Sequence, residues 1–451
     1  MMKKCKLFTL LFSLLFSIVA SAESTEGITS VTVLSSGNTG VVRVNFNYTT
    51  IDKDFETPVL LSAAMFIKGS YYDKSADALG MMLLNHFTIT NEAECPSEVD
   101  WATSLEYVFA QNTSFIVVES DNIGFGETID RPQTYLYGEL TAKQNIDAML
   151  AAKQILLEDG YKIGDKVVNL GYSQGGHSGA WVDRMVASGY RSDELPKIDY
   201  TIIGGGPYDI YGIYDKLRTE NYTQYPVALP LIIYSYINDD MGIESSDVFV
   251  PELIEKIPEW LDCKQIPSED INDSIYTLLG VSENGIEMNR VVTENVMNPE
   301  SEVMAKLIPQ FKKNSLVYDN WSPSKTDSIL FVHSMNDEVV PYLCLENMTA
   351  FLTEQGYTNY KVDNYSPYDH TTTGTYYCLL AVNALAAFES VTTGIKDNVS
   401  VSGLTPVADG YVDVYGINGQ VVRKGVKYEN ALESLPKGIY IINGKKYIIA
   451  K

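Results

Sequence analysis

The sequence predicts an α/β protein: a mostly parallel β-sheet flanked by helices, with an inserted helical cap and a small C-terminal β domain. Strand patterns alternate with helical patterns up to about residue 207 and again from 328 to 389, which is typical of a parallel sheet covered on both faces. Between residues 208 and 321 the alternation stops. Helical segments separated by acidic and polar loops there predict a cap over the carboxyl ends of the strands, where ligands of open α/β sheets bind.

Strand and helix patterns follow one another in the part before the cap. Runs that are buried or that alternate between apolar and polar residues predict strands over 41–48, 58–67, 81–87, 114–118 and 200–203. Helices are predicted near 99–109 and from about 135 to 157. In the longer helix, apolar side chains recur at the spacing of a helix that lies on a sheet.

The alternation resumes after the cap and ends before the last part of the chain. Strands are predicted over 328–332 and 357–365, and helices over 341–355 and 375–389. Short strands joined by Asn-Gly turns follow, and Asn-Gly between alternating apolar residues is a strong hairpin signal. We therefore divide the chain into an α/β domain over 23–393, with the cap at 208–321, and a small β domain over 394–451.

Residues 1–22 are typical of a secretory signal peptide. Three lysines precede an apolar run over residues 7–19, and Ala20-Ser21-Ala22 has the small residues of a cleavage site. The run is too short to span a membrane, and no later stretch reaches ~20 apolar residues. We expect an exported, soluble protein that is secreted, periplasmic or held at the cell surface.

Charge and cysteine content limit the partners. The formal net charge of −25 at pH 7 repels nucleic acid and anionic membranes, so we expect neither as a partner. Four cysteines follow the signal segment, at spacings that match no zinc pattern: Cys95, Cys263, Cys344 and Cys378. Export permits disulfides, and all three full pairings stay open.

A Gly-Tyr-Ser-Gln-Gly-Gly sequence at residues 171–176 joins an apolar strand to a helix rich in small residues. Glycines suit a sharp turn in which the serine is strained and neighbouring Cβ atoms would clash. The helix N-terminus supplies free N–H groups and a positive dipole end where an oxyanion would form. The pattern predicts that Ser173 is a nucleophile, and the alternative is a serine in an ordinary glycine-rich turn.

An activated serine needs a base within hydrogen-bond reach, and the chain offers four histidines. His370 is the predicted base because it lies in a polar loop between the last strand and the last helix. We expect His177 to pack on the floor of the site and His86, at the end of the third strand, to line its oxyanion side. His333 is expected to be a structural histidine.

The base needs a carboxylate to orient it. Asp337 follows the strand 328–332 and precedes a helix that begins near Pro341, and we predict that it is the acid. Glu338 is its neighbour, and Asp369 is a weaker alternative because it adjoins the predicted base. The other interpretation of Asp337 is a turn or helix-capping residue.

The order of the serine turn, the acid loop and His370 resembles the α/β-hydrolase fold. Segments 120–126, 171–176 and 205–209 resemble those of secretory lipases and related secreted esterases, over residues 41–389. The resemblance implies Ser173 as nucleophile, Asp337 as acid and His370 as base, with the backbone N–H of Gln174 as one oxyanion donor. Many such proteins carry His-Gly after the third strand. Here His-Phe-Thr stands at 86–88, which leaves the backbone of Phe87 or Thr88 as the second donor.

The resemblance also implies a function. It indicates a secreted serine hydrolase that cleaves carboxylic esters through an acyl-enzyme, acting on a small-molecule, carbohydrate or lipid ester without a metal or organic cofactor. The alternatives are a serine peptidase of the same fold and a non-catalytic surface-binding protein. Residues 414–420 and 437–446 resemble C-terminal secretion (sorting) domains of exported Bacteroidetes proteins, which implies an interaction with export machinery.

Overall fold

The computed structural model describes residues 28–35, 40–99, 104–282, 284–324, 327–364 and 368–393, and in the C-terminal part 411–416, 421–427, 430–433, 435, 438–442 and 445–449. The predicted signal segment, 1–22, and the stretch 394–410 lie outside the described residues.

One large sheet forms the centre of the fold. Its strands are β1 (Ile28–Ser35), β2 (Val41–Ile51), β3 (Pro58–Lys68), β4 (Ala78–Asn85), β5 (Phe115–Ser120), β6 (Ile163–Tyr172), β7 (Tyr200–Gly204), β8 (Ile329–Val332) and β9 (Tyr360–Asp363). Their spatial order is β1-β2-β3-β5-β4-β6-β7-β8-β9. The pairs β1–β2, β2–β3 and β3–β5 are antiparallel, and all pairs from β5 to β9 are parallel. The predicted fold class is therefore confirmed.

Helices cover both faces of this sheet and build the cap. They are α1 (Gly69–Tyr72), α2 (Leu105–Asn112), α3 (Gly138–Glu158), α4 (Gln174–Ala187), α5 (Ile210–Glu220), α6 (Ala228–Ile237), α7 (Ser245–Val248), α8 (Lys256–Asp262), α9 (Ser268–Leu278), α10 (Glu294–Met297), α11 (Glu302–Asn314), α12 (Leu343–Glu354) and α13 (His370–Thr393). Short 3₁₀ helices lie at Glu92–Glu94, Gly126–Thr128 and Met288–Arg290.

Two apolar cores lie on opposite faces of the sheet. Alternate residues of β3 enter different cores, since side chains of a strand point to its two faces in turn: Met65 belongs to the core that contains residues of α3, α4 and α12, whereas Phe66 belongs to the core that contains residues of α2 and α13. This double coverage explains why the parallel strands are almost continuously apolar.

Helices α5–α11, between β7 and β8, have a separate apolar core. Tyr135 and Leu136, from the segment before α3, belong to it as well. The segment after β4 is joined to the cap by hydrogen bonds, from the Thr90 hydroxyl to the Ile266 carbonyl (2.6 Å) and from the Glu92 N–H to the Lys264 carbonyl (2.8 Å). The cap is thus connected to the segment that follows β4, the strand next to β6 in the sheet.

Several element boundaries differ from those predicted. Strand β1 was not predicted, and it forms by antiparallel pairing with β2 at the sheet edge. The helix predicted near 99–109 begins at Leu105, and the third predicted strand ends at Asn85 rather than 87. The last helix begins at His370 rather than at 375, so the prediction that this histidine lies in a loop was wrong. Two carboxylates accept N–H groups of its first turn. Asp369, directly before the helix, accepts the Thr372 N–H, and Glu338, far earlier in the chain, accepts the His370 N–H.

The C-terminal part contains a small antiparallel sheet. Its strands are β10 (Tyr411–Gly416), β11 (Val421–Lys427), β12 (Gly438–Ile442) and β13 (Lys445–Ile449), in the order β11-β10-β12-β13. Val412, Val414, Tyr440 and Ile442 are buried in a core of their own.

All four cysteines after residue 22 are unpaired, so none of the three disulfide pairings is formed. Cys263 is exposed, and the other three are buried. Within the described residues, no helix combines the length and apolar character that crossing a bilayer requires.

Candidate active site

Ser173 stands in a strained turn between β6 and α4. Its backbone has φ 59° and ψ −122°, a region that non-glycine residues occupy at a cost of about 1–3 kcal/mol. The Ser173 N–H donates to the Gly204 carbonyl (2.9 Å), which ties the turn to the neighbouring strand β7. The surrounding structure therefore maintains Ser173 in this strained backbone conformation.

Glycines around this serine are required by close approaches of backbone. A Cβ on Gly171 would lie 2.1 Å from the carbonyl oxygen of Gly175, and a Cβ on Gly175 would lie 2.0 Å from that of Asn85. Real Cβ atoms do not approach backbone so closely, so α4 could not begin directly above β4 and β6 with larger residues at these positions.

Ser173, His370 and Asp337 form one hydrogen-bonded series. His370 Nε2 lies 2.9 Å from Ser173 Oγ, and His370 Nδ1 lies 2.7 Å from Asp337 Oδ2. Asp337 Oδ1 accepts the backbone N–H groups of Val339 (3.0 Å) and Val340 (2.7 Å). All three side chains come from loops or helix ends at the carboxyl edge of the sheet, and all three residues are buried. The structure thus brings together the three residues that the sequence singled out.

Opposite shifts in pKa accompany this geometry. Burial by itself raises the pKa of Asp337, but the charge of His370 and hydrogen bonds from His333 and His370 lower it, and the net pKa lies well below its ordinary value of 3.8. Burial lowers the pKa of His370, whereas the charge and hydrogen bond of Asp337 and the charge of Glu338 raise it, and the net pKa lies above 6.5. The pair therefore favours an ionised acid beside a histidine that readily accepts a proton.

The main chain of His370 is held from both sides. The Glu338 carboxylate accepts the His370 N–H (3.0 Å), and the Tyr172 hydroxyl donates to the His370 carbonyl (2.7 Å). The Tyr172 ring also packs against the imidazole, with ring centroids 5.0 Å apart. Asp369, the weaker alternative acid, is exposed and accepts the Thr372 N–H (2.6 Å) at the start of α13. Neither Glu338 nor Asp369 takes the place that Asp337 occupies.

The other three histidines are buried and have different partners. His86 Nε2 accepts from the Asn122 side-chain amide (2.7 Å), and burial lowers the pKa of this histidine. His177 Nε2 donates to the Asn314 carbonyl (2.7 Å), and burial lowers its pKa to about 4. His333 Nε2 lies 2.9 Å from the Val340 carbonyl and 3.4 Å from Asp337 Oδ2. The last contact was not anticipated from the sequence.

The two segments expected to supply oxyanion donors lie beside the serine. Gln174 is the first residue of α4, so its N–H is one of the free donors in the first helical turn. Phe87 and Thr88 follow β4 and line the same cavity as Ser173. Strand β4 pairs with β6 up to Asn85 and Gly171, which places residues 86–88 next to the serine turn.

A cavity of about 400 Å³ opens beside Ser173 and His370. Its walls come from α2, the cap helices α6 and α9, and α13, and they include many apolar and aromatic side chains: Phe87, Val99, Leu105, Val108, Tyr135, Leu136, Ile213, Tyr225, Leu231 and Ile232. Three glutamates, Glu94, Glu106 and Glu269, also reach it, and no lysine or arginine is among the described residues of the lining. The cavity suits an uncharged, largely apolar group.

Among the described residues, no three His, Cys, Asp or Glu side chains come together in a way that could hold a metal ion. The site offers instead a nucleophile, a base, an acid and adjacent N–H donors. This set can transfer an acyl group to the serine.

Solved structures share this architecture. The rice cell wall degrading esterase LipA from Xanthomonas oryzae aligns with a TM-score of 0.62 at 20% identity, over 81% of this chain and 97% of that one. Candida antarctica lipase A in its closed state aligns with a TM-score of 0.59 at 14% identity, over 83% of this chain and 84% of that one. No protein-family model and no curated protein matches the chain by sequence. At these identities the likeness concerns the fold, which is the α/β-hydrolase fold.

Proposed function

We propose that this protein is a serine hydrolase that cleaves carboxylic esters through an acyl-enzyme. One observation carries the proposal: Ser173, on its strained turn, is hydrogen-bonded to His370, which is hydrogen-bonded to Asp337, and the series faces a cavity of about 400 Å³. The esterase and the lipase that share the fold support it by analogy.

In the proposed reaction, Ser173 Oγ attacks the ester carbonyl while His370 Nε2 takes its proton. Asp337 stabilises the imidazolium that results. The backbone N–H groups of Gln174 and Thr88 would stabilise the tetrahedral oxyanion. His370 then protonates the departing alkoxide, and in the second half it deprotonates the water that hydrolyses the acyl-enzyme.

The proposed substrate is a small-molecule, carbohydrate or lipid ester with at least one apolar group. The apolar part of the cavity wall supports this, because an apolar group buried against it gives up no hydrogen bonds to water. A panel of p-nitrophenyl esters of rising chain length, assayed for kcat/KM, would identify the acyl length that the cavity accepts.

Ser173→Ala tests the proposal. We expect kcat to fall by at least ~10³-fold with an unchanged melting curve, since the alanine cannot attack and the turn accepts a smaller side chain. Ser178→Ala is the matched control, because Ser178 is also buried and lies on the same helix. Turnover by Ser173→Ala equal to that of the control would contradict the assignment. A wild-type protein that neither hydrolyses the panel nor reacts with a fluorophosphonate would favour the non-catalytic surface-binding protein.

We further propose that residues 1–22 direct export and that export machinery recognises the C-terminal β domain. The charged, apolar and small-residue order of the first segment supports the former, and the resemblance of 414–420 and 437–446 to sorting domains supports the latter.

A further inference from the structure

We propose that His333 is a positioning residue for the ester hydrolysis proposed above, on which this inference rests. Its Nε2–H group holds the end of the acid loop, and with it the Asp337 carboxylate, in the orientation that His370 requires.

His333 is anchored at both its main chain and its side chain. It follows β8 directly, and its N–H donates to the Asp363 carbonyl of β9 (2.9 Å). The fully buried imidazole then reaches across the loop, where Nε2 donates to the Val340 carbonyl (2.9 Å). The Tyr342 ring packs edge-on against it, with centroids 5.6 Å apart. A side chain fixed to the sheet therefore closes the loop of residues 334–340.

This closure acts on the atoms that orient Asp337. Asp337 Oδ1 accepts the N–H groups of Val339 and Val340, and Val340 is the residue whose carbonyl His333 holds. Asp337 Oδ2 faces His370 Nδ1 at 2.7 Å and His333 Nε2 at 3.4 Å. The longer distance means that the His333 N–H points mainly at the carbonyl and only secondarily at the carboxylate. Losing this N–H would free Val340 and let the carboxylate turn away from His370.

The hydrogen-bonding pattern of His333 specifies its form. Nδ1 is buried without a partner among the described residues, whereas Nε2 faces the Val340 carbonyl, so the site fits the tautomer that has its proton on Nε2. A phenyl ring would fill the same space without an unpaired nitrogen. The polar role of this side chain therefore lies at Nε2, on the side of Asp337.

Three variants at this position separate positioning from packing. His333→Phe keeps the aromatic volume and removes the donor, His333→Gln restores an N–H near the position of Nε2, and His333→Asn has an amide too short to reach it. We expect the Phe variant to lose about 10- to 100-fold in kcat, with KM nearly unchanged, because small displacements of catalytic groups have effects of this size. The acidic limb of its pH–rate profile should move to lower pH, because a displaced Asp337 carboxylate raises the pKa of His370 less. His333→Gln should recover most of the rate.

His177→Phe is the matched control, since His177 is not among the described residues that line the cavity, is equally buried and also donates to one backbone carbonyl, that of Asn314. An unshifted pH profile and kcat within about threefold of wild type for His333→Phe would overturn the proposal, as would an equal loss in the control. If the Phe variant does not fold, the amide pair decides: Gln faster than Asn supports positioning, and equal rates overturn it. Wild-type protein assayed in parallel separates this failure from failure of the ester hydrolysis itself, which would leave wild type inactive as well.

Discussion

At the scale of single residues, Asp337 and its neighbour Glu338 serve the same histidine in different ways. Asp337 faces the imidazole Nδ1, whereas Glu338 accepts the backbone N–H of His370. Of two adjacent carboxylates, one thus contacts the side chain of His370 and the other its main chain. The sequence singled out Asp337, but it did not predict that Glu338 would accept the main-chain N–H of His370.

Asp337→Asn should therefore lose much of kcat with little change in KM. The amide cannot stabilise the imidazolium, and a loss of about 10⁴-fold is typical of this change in a triad. Glu338→Gln should stay within a few-fold of wild type, because the amide oxygen still accepts the His370 N–H. Steady-state kinetics of both variants decides the point, and the reverse ranking would make Glu338 the acid.

The pH dependence of the rate reports on His370. The base must be neutral to accept the serine proton, so activity should be lost as pH falls through the pKa of His370, which lies above 6.5. In Asp337→Asn the limb should move to lower pH, because burial then acts without the carboxylate that raises this pKa. Profiles of kcat/KM from about pH 5 to about pH 9 measure the acidic limb of the wild type and that of the variant. Identical acidic limbs in wild type and variant would exclude the coupling.

The two residues of the pair both contribute stability, but the two contributions depend on pH in opposite directions. The lowered pKa of Asp337 contributes stability that is present above its ordinary value and lost as pH falls. The raised pKa of His370 contributes stability that is present below 6.5 and lost as pH rises through the folded pKa.

At the scale of elements, the turn from β6 into α4 requires a helix that begins directly against neighbouring strands. Gly175 illustrates this, because its α-carbon faces the carbonyl of Asn85 at the end of β4. In an ordinary helix, replacing glycine by alanine stabilises by about 1 kcal/mol. Here the backbone contact outweighs that gain.

Gly175→Ala should lower both the melting temperature and the activity, since α4 must move away from β4 and take Ser173 with it. Gly179→Ala, in the same helix, is the comparison variant: the nearest atom to its Cβ would be a side-chain methyl carbon of Ile203 (2.7 Å) rather than a backbone atom, so we expect a smaller loss. Thermal unfolding and ester hydrolysis of both variants test this expectation. Equal stability of the two would mean that the contact at Gly175 does not restrain the turn.

At the scale of the whole molecule, the α/β part and the small C-terminal sheet have separate apolar cores. Ser173, His370, Asp337 and the described lining of the cavity all belong to the former. Strand β13 contacts α13, so the two parts are not wholly independent.

A protein that ends at Thr393 should fold and hydrolyse esters at a rate within about twofold of the full chain, because no residue of the site is removed. Its melting temperature should fall by a small amount through the lost contact with α13. Kinetics of the purified protein tests the first point, and fractionation of host cells expressing each form tests the proposed sorting role. Lost activity would make the tail part of the catalytic unit, whereas unchanged delivery would remove the sorting role.

Local patterns in the sequence were sufficient for the fold class and for the three residues of the series. The glycines around Ser173 are visible in sequence because a close backbone approach admits no other residue. His370 and Asp337 stood out because few histidines exist and because polar residues after buried strands collect at one edge of a parallel sheet.

Only the tertiary structure decided what depends on contacts between distant segments. The start of α13 at His370 combines a local cap, since Asp369 accepts the Thr372 N–H, with an acceptor 32 residues earlier in the chain, Glu338, which no local propensity contains. The contact of His333 with the acid loop likewise depends on how that loop closes over the end of β8. The cavity also depends on contacts between distant segments, since its walls combine cap and core residues that are far apart in sequence. The residue pattern within one segment carries no information about which other segments it will contact.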